Sequence, residues 1–85
     1  MIADEVKTRV AQAIVPSEVT ARGDASRMEV VVISPVFEGV SRVKKQQLVY
    51  GAIAELIRSG ALHAVTIHAY TPAERPLFNS EGQAD

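Results

Sequence analysis

The sequence predicts an α+β two-layer sandwich: a three-stranded mixed sheet with helices on one face. Three observations point there. An apolar residue recurs at every fourth position near the start. Two β-branched runs flank a turn-rich linker. A second helical pattern then leads into a strand of regular alternation.

Ile2, Val6, Val10 and Ile14 form the first apolar stripe, with Ala13 beside it. Asp4 and Glu5 fall in that helix's first turn, where the macrodipole favours acids, and Pro16 stops it. "EVTAR" (18–22) and "MEVVVIS" (28–34) read as a hairpin around "GDAS". The second run is apolar on both faces, Met28, Val30 and Val32 against Val31 and Ile33, which marks a central strand. After Pro35 and a turn over 37–39, a helix is expected from about Arg42 to Arg58, with Ser41 as its N-cap. Val49, Ile53, Leu56 and Ile57 make its core stripe and Gly60 its stop. Its first turn and a half is poor in apolar residues, so that end is expected to project from the core. "HAVTIHAY" (63–70) alternates Val65, Ile67 and Ala69 with Thr66, His68 and Tyr70, a strand. In "TPAE" (71–74), Thr71 caps a short helix, with Pro72 at its first position and Glu74 completing a capping box.

The 85 residues make one domain, placed at residues 1–76, with 77–85 expected to be a disordered tail. An apolar content of 47% and a mean hydropathy of +0.09 fit a globular chain. The net charge is −1, so any anion binding must come from local clustering. The absence of cysteine excludes disulfides, a thiol nucleophile and an iron–sulfur cluster held on the chain's own thiolates. It also favours a cytoplasmic location. No apolar run approaches the roughly 20 residues of a membrane span, so no membrane partner is expected. Phosphate-loop, dinucleotide, zinc-protease and nucleophile-elbow motifs are all missing, so the chain reads as a binding module and not an enzyme.

Two features could form a site. Arg42, Lys44 and Lys45 load the first turn of the second helix with positive charge, beside Ser41 and Gly39. The dipole opposes cations there by roughly 0.3–1 kcal/mol each at exposed positions. Lys44 also holds the capping-box position where Glu or Gln would help. A phosphate or a carboxylate-rich surface would repay that cost, whereas a plain solvated face would not. The second feature is His63 with His68. Their parities differ along an alternating strand, so they should not face one metal together.

"FEGVSRVKKQQLVY" (37–50) and "LHAVTIHAYTPAE" (62–74) resemble the BolA family, and most of all its IbaG branch; the resemblance covers about residues 2–75. It implies an αββαβα fold similar to the class II KH architecture, in agreement with the element order above. It also implies pairing with a monothiol glutaredoxin, either sharing a two-iron, two-sulfur cluster between the two proteins and glutathione or binding without one. No cofactor is implied for this chain alone. By the same resemblance His63 is the iron ligand. The family's second ligand, a His or Cys, falls in the loop "RGDASR" (22–27), where Arg27 stands at the branch's histidine. Asp24 could offer only oxygen, a poor donor to an iron–sulfur site. The expected hold on iron is therefore weak and labile. Arg75 replaces the family's tryptophan, so the last helix is expected to pack loosely. The expectation is a non-enzymatic partner in iron–sulfur handling and iron homeostasis. The alternative is a transcriptional regulator of stress response and cell morphology that binds DNA or RNA through Gly39, Ser41, Arg42, Lys44 and Lys45.

Overall fold

The computed structural model describes residues 1–74; the expected tail and Arg75 lie outside the described residues. Helix α1 (Ile2–Ala13) is followed by strands β1 (Glu18–Asp24) and β2 (Arg27–Ile33), helix α2 (Arg42–Arg58) and strand β3 (Val65–Tyr70). Short 3-10 turns at Pro35–Phe37 and Pro72–Glu74 follow β2 and β3. The sheet order is β1-β2-β3, with β1 antiparallel and β3 parallel to the central β2. A parallel neighbour needs a crossover, and α2 supplies it. The expected α+β sandwich with a mixed sheet is the observed fold.

Both helices pack on the face that carries Met28, Val30 and Val32, each fully buried. Val6 and Val10 of α1, Val49, Ile53 and Leu56 of α2, and Val19 of β1 complete that core, while Ile57 packs against it half-buried. Phe37 and Leu62, from the segments flanking α2, are also fully buried and pin both ends of the crossover. Ser34 is the one buried polar residue among those described. Its hydroxyl donates to the Pro16 carbonyl at 2.6 Å and accepts from the Val36 amide at 3.2 Å, so it costs little to bury.

Two boundaries differ from expectation. The hairpin linker is only Ala25–Ser26, because β1 runs on to Asp24 and β2 begins at Arg27. Asp24 Oδ1 makes this possible by accepting from the Ser26 amide, the Ser26 hydroxyl and the Arg27 amide at 3.0–3.1 Å. Gly23 has φ +116°, and a Cβ there would run into the Arg27 carbonyl, so the turn requires glycine. The last strand starts at Val65 and not at His63. Before entering the sheet the chain bonds to the hairpin tip, the His63 amide donating to the Ala25 carbonyl at 2.7 Å.

Candidate functional site

The local sequence fixes the backbone around His63 and leaves its ring in water. Gly60, at φ +87°, reverses the chain after α2. The Leu62 amide then donates to the Leu56 carbonyl at 3.0 Å while its side chain is fully buried. His63 follows directly, exposed, with its amide on the hairpin tip. The fold thus brings together the two segments to which the resemblance assigns iron ligands. The hairpin tip, however, supplies no nitrogen or sulfur donor. Asp24 is already committed to its own turn, and the Ser26 amide and hydroxyl, then the Arg27 amide, hold its carboxyl below the usual range. Among the described residues no group of three or more His, Cys, Asp or Glu side chains could hold a metal. The donor set fits one terminal imidazole ligand. It does not fit a cluster held by this chain alone.

The parity argument does not apply to the two histidines, because His63 lies before β3, and His68 is engaged elsewhere. It lies on the sheet face away from the helices, with Nε2 3.1 Å from Glu29 Oε2 and its ring stacked on Tyr70 at 6.4 Å. Arg22 Nε donates to the other oxygen of Glu29 at 3.0 Å.

At the start of α2 the structure divides the three cations. Ser41 caps as expected, its Oγ accepting from the Lys44 amide at 3.2 Å. Gly39 takes a φ of +76° and opens onto free space. Arg42 and Lys44 are exposed and have no ion-pair partner among the described residues. Lys45 is different: its side chain is 13% exposed and reaches Glu74 at 3.4 Å. Beside it, Gln46 Nε2 donates to the Ile67 carbonyl at 2.8 Å. The expectation that this end projects from the core therefore holds for Arg42, Val43 and Lys44 but fails at Lys45 and Gln46, whose polar ends anchor the helix to β3 and the turn beyond it. Glu74 and Gln46 were not singled out as partners from sequence, although the "TPAE" capping box was the available signal for Glu74.

Glu74 Oε1 accepts from the Thr71 amide at 2.7 Å, and that bond, then Lys45, holds its carboxyl below the ordinary value of 4.5. A depressed carboxyl adds stability above its unfolded pKa and loses it as pH falls through the folded one. The melting temperature of wild type should exceed that of Glu74→Gln at pH 7, and the gap should close as pH falls below about 4. A gap independent of pH would contradict the assignment.

The basic end and His63 are not one site. The 17 residues of α2 span about 25 Å, and His63 lies beyond its far end. A small ligand seated on His63 therefore does not also reach Arg42 and Lys44.

A family model described as BolA-like protein matches residues 4–74. The acid stress protein IbaG of Escherichia coli (strain K12) is 45% identical over 71 residues, covering 84% of each chain. A bolA protein homologue from Coxiella burnetii superposes with a TM-score of 0.74 at 32% identity, over 86% of this chain and 94% of that one. The BolA domain of SufE1 from Arabidopsis thaliana gives a TM-score of 0.75 at 25% identity, over 86% of this chain and 94% of that domain. With the fold, the matched span and these identities in agreement, the chain belongs to the BolA family.

Proposed function

We propose that this protein is a partner, and not an enzyme, that pairs with a monothiol glutaredoxin and contributes His63 as one ligand to a two-iron, two-sulfur cluster. The observation that carries this reading is the presentation of His63: backbone fixed by buried Leu62 and by the 2.7 Å bond to Ala25, ring exposed to an incoming partner. A neutral imidazole nitrogen suits iron. The glutaredoxin and glutathione supply the remaining ligands, since Asp24 and Arg27 leave the hairpin without a second good donor. Titrating the full chain into a cluster-loaded monothiol glutaredoxin tests this by visible circular dichroism. New bands that saturate near one equivalent are expected. A spectrum that remains the sum of the two components would overturn the reading.

A second reading rests on Arg42 and Lys44, exposed and without an ion-pair partner among the described residues, beside the open turn at Gly39, which could meet a nucleic-acid backbone. It predicts salt-dependent binding whose log–log slope becomes shallower by about 1 in Lys44→Ala, measured by fluorescence anisotropy with a labelled duplex. Lys45→Ala should change that slope less, because Glu74 already neutralises Lys45. Equal slopes for wild type and Lys44→Ala would eliminate it. The Escherichia coli relative is called an acid stress protein, which supports a stress-linked role under either reading.

A further inference from the structure

Helix α2 and the free edge of β3 enclose a groove that neither reading uses. Gln46, Gln47, Tyr50, Gly51 and Ile67 line it. Among the described residues β3 is an edge strand of the sheet. The Met28 amide donates to the Ala64 carbonyl and the Ser34 amide to the Tyr70 carbonyl, both at 3.0 Å. In a parallel ladder the even-numbered residues of β3 therefore face β2, and Val65, Ile67 and Ala69 present their backbone groups to the open side. Gln46 occupies the Ile67 carbonyl. Among the described residues no group meets the amides of Val65, Ile67 and Ala69.

Gly51 makes this edge more than an unprotected strand. It sits inside a 17-residue helix, where glycine is less favourable than alanine. A Cβ there would meet nothing within 4 Å among the described residues, so their packing does not call for glycine. Its bare backbone instead leaves room for a partner's side chain against the helix. Val43 and Tyr50, 65% and 45% exposed, stand on the same side of α2. Lys44, three residues before Gln47 and seven before Gly51, carries a charge with no counter-ion among the described residues to the head of the groove.

We propose that this groove receives an extended segment of a partner protein, which adds to β3 as a fourth strand. An apolar side chain of that segment seats over Gly51 between Tyr50 and Ile67, and a carboxylate meets Lys44. The acidic character follows from charge complementarity: Lys45 has its counter-ion in Glu74, and Lys44 has none among the described residues.

The test selects a displayed library of random decapeptides against the full chain, and the retained peptides are resynthesised. They should share an apolar residue and an Asp or Glu. They should also shift the amide resonances of residues 43–51 and 65–69. Gly51→Ala should weaken them tenfold or more without lowering the melting temperature, and Lys44→Glu should weaken them tenfold. His63→Ala should leave peptide binding unchanged, which separates this surface from the proposed iron ligand. The proposal is overturned if no peptide is retained, or if the retained peptides map elsewhere or bind Gly51→Ala as well as wild type. It is equally overturned if hydrogen exchange shows the amides of 65, 67 and 69 already covered in the free protein, by residues 75–85 or by a second copy, or if only an oligonucleotide shifts the groove.

Discussion

His63→Ala should abolish the new visible circular dichroism bands that form with a cluster-loaded monothiol glutaredoxin, while leaving the protein folded. The first half follows from the donor count. No second nitrogen or sulfur donor stands at the hairpin tip, and the other histidine, His68, is engaged with Glu29 on the sheet face away from the helices, so neither replaces the lost imidazole. Loss of a hydrogen-bonding partner of a ligand typically costs 10–100-fold in metal affinity, and loss of the ligand itself should cost at least about 100-fold. The second half follows from exposure. The ring makes no hydrogen bond among the described residues, and the bond to Ala25 uses the backbone amide, which alanine keeps. Unfolding free energy should change by less than about 0.5 kcal/mol, as for other exposed positions. Bands that survive the substitution would place the ligand elsewhere.

Phe37→Ala should be the most damaging single truncation of the fold. Phe37 is among the largest fully buried side chains, and it closes the core where the crossover leaves β2 for α2. Emptying such a site costs roughly 3–5 kcal/mol, against a total of roughly 5–15 kcal/mol for a typical domain. At 85 residues the reserve is near the low end, so the variant should be largely unfolded by mild urea. The urea midpoint, followed by far-ultraviolet circular dichroism, measures this. A loss below 1 kcal/mol would mean that Phe37 is not part of a close-packed core.

The fold was legible because its elements announce themselves locally. The stripe Val6–Val10–Ile14, the two-sided apolar run at 28–33 and the cap–stripe–glycine succession from Ser41 to Gly60 each depend on short-range periodicity, and each appears where expected. Where expectation failed, the decisive contact was distant in sequence. His63 leaves the strand because of Ala25, 38 positions earlier, and no local pattern records that bond. Lys45 lost its role as a free cation to Glu74, 29 residues away. The separation of Arg42 from His63 was also legible, because a helix over 42–58 places the two at its opposite ends. Gly51 escaped notice because a helical glycine is mute until the space around it is known.

The most direct measurement is pulsed electron paramagnetic resonance of the reduced cluster in the mixed complex, with the histidines of this chain labelled with nitrogen-15. Coordination by His63 predicts a nitrogen-15 hyperfine coupling that persists in His68→Ala and vanishes in His63→Ala. A reduced cluster that shows no coupling to the label, or one that keeps it in His63→Ala, would contradict the role assigned to His63.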